Sequence, residues 1–563
     1  MKFLNHKTVL ILGLGESGLA CVQFSERFGA CVIAADSRSS PPNLAQIQPL
    51  KNVRVILGDF SDTLLNDVSS NNILNNNILN NTLNDVPNNI PNSTSNNILN
   101  TINTIVVSPG ISPSSIKELL VSAQLKKIPV ISELDWFNSA LLELNQQYNY
   151  QPIVLGITGT NGKTTVTELT THICNEAGEV AVACGNISPA ALTALMGALD
   201  NYTHHKIPLP TVWVLELSSF QLHYTQFLSL NAAALLNISQ DHLDWHTDMN
   251  EYIHDKVNIF KHCALKILNR DDSVCMTLIN AADTRANIHT FGLDSPSYVG
   301  DVGCYLDGLT WLAQAQISPE TIAHTIPRSK KMAEKIPVLT IQQPLMPVDA
   351  LLLRGTHNHA NALAALLLAQ AAGVDLAKIL YGLRSYKGAP NRCELVCIVN
   401  DVEYINDSKG TNVGATIAAL MGLSKHNRSL ILIAGGVGKG QDFSSLAVTI
   451  THHCKAVILM GEAAAELEQA LKLIGINTFN DLSLTDLPVL PLTILHANSL
   501  DDAVKQASEL ADAGDTVLLS PACASFDMFD NYLHRAQLFV QAVNGLNGLN
   551  GLNNLNYLAT DKS

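Results

Sequence analysis

Basic residues are in short supply: 34 Lys and Arg face 49 Asp and Glu, for a formal charge of −15. That balance excludes generic binding along a nucleic-acid backbone, which needs clustered Lys and Arg. Long apolar runs are missing too. The longest apolar pattern, Ala362 to Ala372, is about half the roughly 20 residues of a bilayer-spanning helix and is bounded by Asn361 and Gly373, so it reads as a packed helix and no membrane class is required. Aromatic residues make up 5% against 47% hydrophobic residues, the balance of an α/β protein with a core of Leu, Ile, Val and Ala. Paired Cys-x-x-Cys spacings are absent, so the scattered cysteines read as buried reduced thiols rather than zinc ligands or disulfides. The N-terminus, Met1 to Lys7, leads straight into a strand without a cleavable signal, and the cytoplasm is the expected location. Nothing in the sequence speaks for an oligomer, and a monomer is expected.

What is present begins with Gly156-Ile-Thr-Gly-Thr-Asn-Gly-Lys-Thr-Thr165, which follows the apolar run Ile153 to Ile157 and opens a helical pattern from Lys163 to Cys174. Strand, glycines, lysine and helix in that order form a phosphate-binding loop. Backbone N–H groups of Gly159, Thr160, Asn161, Gly162 and Thr165 close around phosphate oxygens, Lys163 reaches the terminal phosphates and Thr164 offers a hydroxyl to Mg²⁺. ATP is the ligand this predicts. Ile157 stands where the strict pattern has its first glycine.

A second glycine turn lies at the N-terminus. Thr8 to Gly15 reads as a buried strand, Glu16 to Phe28 as a helix and Cys31 to Asp36 as a second strand, with Gly13, Gly15 and Gly18 in a Gly-x-Gly-x-x-Gly turn and Asp36 where a ribose-binding acid sits in dinucleotide folds. The pattern fits NAD, FAD or another nucleotide diphosphate, which keeps a dehydrogenase in play. From about 69 to 103 the chain turns Asn-rich, with Asn-Asn-Ile-Leu-Asn at 71–75, 76–80 and 96–100, and is expected to be a disordered insertion, as is the tail 546–563. Deleting 71–100 should leave turnover nearly unchanged; a large loss would place the insertion at the N-terminal ligand site. Further on, Thr104 to Gly110 ends a strand on Ser108-Pro-Gly, Val212 to Glu216 delivers a carboxylate, and Ala232 to Ile238 leads to Asp241-His242. Carboxylate and imidazole near a phosphate loop suit Mg²⁺.

Five ordered motifs together, Gly159-Thr-Asn-Gly-Lys-Thr-Thr165, Glu216-Leu-Ser-Ser-Phe-Gln-Leu222, Asp241-His242, Asp407-Ser-Lys-Gly-Thr-Asn412 and Ser520-Pro-Ala-Cys-Ala-Ser-Phe-Asp527, resemble the Mur ligases, within them the branch that adds D-glutamate. The resemblance covers nearly all of the chain outside the Asn-rich segments. It implies an α/β protein of three domains: N-terminal Rossmann-like (1–149), central P-loop ATPase with a mainly parallel sheet (150–388) and C-terminal Rossmann-like (389–545). It implies ATP-dependent amide formation between UDP-N-acetylmuramoyl-L-alanine and D-glutamate through an acyl phosphate, with Mg²⁺, and it reassigns the N-terminal glycine turn to the UDP group of the substrate.

Residue by residue, the resemblance implies a UDP-substrate site of Leu14, Glu16, Ser17, Asp36, Ser37, Arg38, Ser108, Asn186 and His242. It gives Lys163, Glu216, His242 and Lys256 the catalytic roles, with Thr164, Glu216, His242 and Lys256, the last as a carbamate, holding Mg²⁺. Asn358 and Asn361 would meet adenine; Arg392 and Asp407 would reach the nucleotide from the third domain across a hinge at Tyr386 to Pro390. Lys409, Thr411, Lys439, Ser525 and Tyr532 would hold D-glutamate, Tyr532 where the family often has Phe. In Gly435 to Gly440 a residue able to ligate Mg²⁺ is replaced by Gly440, so Lys439 is an anion binder there. Other amino acids are added elsewhere in the superfamily, which leaves another Mur-type ligase as the alternative.

Overall fold

The computed structural model describes residues 1–60, 98–243, 245–278, 287–318, 340–424, 429–480 and 492–549. It divides into two compact units, one of Met1–Phe291, Gly300–Val302 and Ala364–Gly382, the other of Gly292–Val299, Gly303–Leu363 and the chain from Leu383 onward.

The first unit holds two parallel sheets. Strands β1 (Thr8–Leu12), β2 (Cys31–Asp36), β3 (Val53–Leu57), β4 (Thr104–Val107) and β5 (Val130–Ile131) lie in the order β3-β2-β1-β4-β5, every neighbour parallel. This is the expected Rossmann-like sheet, with near-continuous apolar strands because both faces are covered. Helix Glu16–Arg27 leaves β1 so tightly that a Cβ on Gly18 would meet the Gly13 carbonyl oxygen at 1.8 Å, which fixes glycine there. Strands β6 (Ile153–Thr158), β7 (Ala181–Gly185), β8 (Val212–Glu216), β9 (Leu230–Leu235), β10 (Cys263–Asn269) and β11 (Ile288–Phe291) form the central sheet in the order β11-β10-β9-β6-β8-β7, again parallel.

In the Asn-rich segment, residues 69–97 lie outside the described residues, but its end does not fit the expectation of disorder. Ile98–Asn100 form a 3₁₀ turn, Leu99 and Ile102 enter the core beside β4, and Asn103 Oδ1 accepts from Thr8 N at 2.9 Å. Leu99 and Ile102, with a sheet to pack on, overcome the turn preference of Asn, so deleting 71–100 would also take Leu99 out of this core, and a loss of turnover on that deletion would not by itself place the insertion at the ligand site. Helix Tyr532–Leu549 likewise runs past 545, and 550–563 lie outside the described residues.

Strand β12 (Val302–Asp307) follows β11, and in the second unit β13 (Leu309–Ile317) pairs antiparallel with β14 (Thr340–Pro347). Its main sheet comprises β15 (Glu394–Val399), β16 (Val402–Asn406), β17 (Leu430–Gly435), β18 (Cys454–Met460), β19 (Thr493–His496) and β20 (Thr516–Leu519), in the order β15-β16-β20-β17-β18-β19. The expected parallel sheet is extended by one antiparallel edge strand, β15, which the sequence reading did not assign. It joins β16 through Asn400 and Asp401, both at positive φ (52° and 61°), the two-residue hairpin turn that matches strand twist. Among the described residues no helix is long and apolar enough to cross a membrane.

One buried acid in the first unit carries a stability consequence. Glu133, 3% exposed, accepts from Leu192 N at 2.8 Å and so caps helix Ala191–Asp200, and burial pushes its carboxyl from 4.5 up to about 7. Between those pH values the folded chain holds a proton that the unfolded chain has released. Stability therefore falls as pH rises through that window and levels off above it, by on the order of 3 kcal/mol. Glu133→Gln should lose this dependence and melt above wild type at pH 8; a melting-temperature difference between the two proteins that does not change from pH 5 to pH 8 would show that Glu133 ionises in the folded chain as it does in the unfolded one, and that burial does not raise its carboxyl.

Candidate active site

The phosphate loop sits at the carboxyl edge of β6, between its neighbours β8 and β9, where ligands of open α/β sheets collect. Its shape is set by glycine and by hydrogen bonds to neighbouring loops. Gly162, the residue before helix Lys163–Glu176, has φ +84°, and a Cβ on Gly159 (φ +150°) would press on Leu236 at 3.0 Å. Thr160 N donates to Asn237 O at 2.9 Å and Asn161 N to Asn237 Oδ1 at 2.8 Å. Ile157, in the place of the strict pattern's first glycine, is fully buried in β6 and takes no part in the loop. Lys163 Nζ donates to the carbonyls of Gly159 and Thr160 at 2.7 and 2.8 Å, and Thr164 opens the helix beside it.

Glu216 ends β8 with its side chain 2% exposed; Oε1 accepts from Asn186 Nδ2 at 2.8 Å, while Oε2 is buried with no hydrogen-bond partner. Lys256, to which the resemblance gives a carbamate, is 2% exposed on helix Met249–Val257, donates to Gly159 O at 2.8 Å and lies 4.7 Å from the Tyr252 ring centre. Burial, together with the charge of Lys163, drives its amine well below the usual lysine range. His242 is exposed, at φ +56°, with Nε2 3.6 Å from Asp241 Oδ2. Lys163, Glu216 and Lys256 thus meet around one loop.

A cavity of about 490 Å³ opens beside this loop, lined by Glu16, Ser17, Asp36, Ser37, Arg38, Ser108 and Asn186 together with Gly13, Gly15 and Gln221. All of the expected UDP-substrate residues line it except Leu14, whose N–H donates to Asp36 Oδ2 at 2.7 Å, and His242. Burial alone would push the Asp36 carboxyl up, but Arg38 outweighs it with side-chain bonds of 2.8 Å to each oxygen and holds it below the ordinary value. Both oxygens of Asp36 are thereby taken up by the chain itself, unlike an acid presented to a ribose. Asn186 links the cavity to the end of β8, since it lines the first and bonds Glu216 at the second.

In the second unit, Asn358 and Asn361 are buried and joined by a 2.9 Å bond between Asn361 Nδ2 and Asn358 Oδ1. Burial pushes the Asp407 carboxyl up to about 6, offset in part by Ser520 Oγ at 2.7 Å and by Arg392 nearby. Two of the residues expected at the amino-acid site meet, since Lys409 Nζ stands 3.8 Å over the Tyr532 ring; buried Ser525 follows a bridge between Ala524 and Val437. Lys439, at φ +54°, lies in the glycine loop after β17 two residues beyond that bridge, and Thr411 N donates to Lys409 O at 2.9 Å. Gly388 at φ +96° marks the expected hinge segment between helix Leu376–Ser385 and β15.

Residues 7–76 match the Mur ligase MurD-like N-terminal domain, 157–369 the Mur ligase middle domain and 391–523 the Mur ligase glutamate ligase domain. Relatives named UDP-N-acetylmuramoylalanine--D-glutamate ligase are 42% identical to the chain. That of Paraburkholderia xenovorans aligns over 535 residues, 94% of each chain; that of Cupriavidus metallidurans over 546, 95% of this chain and 96% of its own; that of Bordetella pertussis over 548, 95% of each. The chain belongs to the Mur ligase family.

This Mur ligase also has site residues that the sequence reading passed over. Arg535, 1% exposed, donates from Nε to Ser408 Oγ and from Nη2 to Ser408 O at 3.0 and 2.8 Å, and from Nη1 to Cys523 O at 3.2 Å, tying the loop of Lys409 to that of Ser525. An arginine among the apolar residues of helix Tyr532–Leu549 was its only signal. Gln221 lines the cavity, and its side chain and that of Ser218 cap each other's backbone at the start of helix Ser219–Tyr224.

Proposed function

We propose that this Mur ligase joins D-glutamate to UDP-N-acetylmuramoyl-L-alanine in an ATP-driven step of peptidoglycan precursor synthesis. The observation that carries the reading is 42% identity, along 94% of both chains, to a relative named for that activity. The site's chemistry supports it. A carboxylate does not react with an amine, so the L-alanyl carboxylate must first be activated. One of its oxygens attacks the γ-phosphorus of ATP, ADP leaves, and the resulting acyl phosphate accepts the neutral amine of D-glutamate through a tetrahedral intermediate that expels phosphate.

The cavity of Glu16, Ser17, Arg38, Ser108 and Asn186 receives the UDP-sugar and delivers its carboxylate toward Glu216, the direction in which Asn186 points. The phosphate loop holds the ATP phosphates, and Lys163 leaves its backbone carbonyls to meet negative charge on the transferring group. The orphaned, buried Glu216 Oε2 fits a cation ligand, as does the hydroxyl of Thr164, and Mg²⁺ held by these with His242 and the Lys256 carbamate would neutralise charge on phosphate and acyl oxygens. Lys256 suits carbamate formation because burial favours the neutral form of its amine, and a neutral amine adds CO₂ with loss of one proton. On the second unit, Asn358, Asn361, Arg392 and Asp407 are the residues for the nucleotide, and Lys409, Thr411, Lys439, Ser525 and Tyr532 those for D-glutamate.

Phosphate release with Mg-ATP and UDP-N-acetylmuramoyl-L-alanine, compared across D-glutamate, L-glutamate, meso-diaminopimelate and no amino acid, tests the reading. Release that requires D-glutamate is expected. Release with a different amino acid would move the enzyme within its family, and none under any condition would refute the activity.

A further inference from the structure

We infer that His246 is a positioning residue for the phosphate-transfer centre: a buried imidazole that fixes the β8 exit carrying Glu216, the loop carrying His242 and the helix carrying Lys256 against one another. The inference rests on the proposed roles of those three residues. The His246 side chain is 0% exposed, and both ring nitrogens face polar groups from elements distant in sequence. Nε2 lies 2.9 Å from Oγ of Ser219, the first residue of the helix that begins three residues beyond Glu216. Nδ1 lies 3.3 Å from Oδ2 of Asp255, the neighbour of Lys256 on helix Met249–Val257. The same Asp255 oxygen is bound by His223 Nδ1 at 2.8 Å, so two imidazoles from two elements converge on one carboxylate oxygen.

The backbone of His246 completes the frame. Its N–H, and that of Trp245, donate to the His242 carbonyl at 3.1 Å, closing a turn that holds His242 in its left-handed conformation. The ring packs against Trp245 and Tyr252, with centroids 4.6 and 5.2 Å away, and the Tyr252 hydroxyl reaches Thr160 Oγ1 of the phosphate loop at 2.9 Å. A carboxylate facing Nδ1 favours the tautomer with its proton there and leaves Nε2 to accept from the Ser219 hydroxyl.

The groups around His246 form a scaffold rather than a second metal centre. His223, Glu251 and Asp255 bring ligand atoms within 4.8 Å of one another, but His223 is committed to Asp255, and Glu251 Oε2 accepts from Thr247 N and Oγ1 at 2.6 and 2.8 Å.

The test is Mn²⁺ affinity in the presence of ADP, read by electron paramagnetic resonance on the full chain, beside kcat, the KM for UDP-substrate and the melting temperature. His246→Gln should weaken Mn²⁺ and lower kcat by roughly 10–100-fold, the range for groups that orient metal ligands, with UDP-substrate KM within about twofold. Ser219→Ala, which removes one link and little volume, should move Mn²⁺ affinity the same way by less. Unchanged Mn²⁺ affinity in both variants, whatever happens to the melting temperature, overturns the inference. Glu216→Gln is the control: if it too leaves Mn²⁺ affinity unchanged, the metal assignment itself has failed and the inference falls with it.

Discussion

Lys163→Ala should lower D-glutamate-dependent phosphate release by roughly 10³-fold or more while UDP-substrate affinity stays within about twofold. The asymmetry follows from where the lysine is tethered. Its Nζ bonds two carbonyls of the phosphate loop, Gly159 and Thr160, and it is not among the residues lining the UDP cavity. Removing it takes away charge stabilisation of the transferring phosphate and leaves the cavity of Glu16, Ser17, Arg38 and Ser108 intact. Rate is read by phosphate release and binding by calorimetry with the UDP-substrate. Equal loss of both would mean that the nucleotide loop and the UDP cavity are not separate sites.

The second large effect is expected at Lys256. Lys256→Ala should reduce kcat by roughly 100-fold, and activity of the wild type, though not of the variant, should fall in CO₂-depleted buffer and return with bicarbonate. The argument is electrostatic. A lysine 2% exposed beside Lys163, with its amine pushed well below the ordinary range, is a poor permanent cation and a good nucleophile for CO₂. As a carbamate it becomes an anion close to Gly159, Lys163 and Glu216. A ¹³C carbamate resonance in protein equilibrated with ¹³CO₂, absent from Lys256→Ala, is the direct readout; wild-type activity indifferent to CO₂ with no such resonance would make Lys256 a plain structural lysine.

These two lysines mark what the sequence disclosed and what it did not. The phosphate loop was legible because backbone capture of phosphate needs glycine, lysine and hydroxyl at fixed offsets between a strand and a helix, all of which are local. The N-terminal glycine turn was legible for the same reason, and the structure adds why Gly18 cannot be larger. Lys256 was legible only through family resemblance, since a lysine on a helix is ordinarily solvated and its burial is created by partners such as Gly159, 97 positions away. Arg535 left no signal beyond a charge among apolar residues and His246 none: their bonds reach Ser408 across 127 positions and Ser219 across 27, and no periodicity reports a contact of that kind. The β15–β16 hairpin escaped for a smaller reason, because Asn400-Asp401 is a weaker turn signal than a pair containing glycine.

The account turns on carboxylate activation by γ-phosphoryl transfer, and isotope transfer tests that most directly. UDP-N-acetylmuramoyl-L-alanine labelled with ¹⁸O in its L-alanyl carboxylate is turned over with Mg-ATP and D-glutamate, and the labelled product is located by mass spectrometry. One ¹⁸O should appear in inorganic phosphate for each amide formed, because the oxygen that attacks phosphorus leaves with it. Label recovered in AMP, or phosphate free of label, would contradict the acyl phosphate and the roles given to Lys163, Glu216 and Lys256 with it.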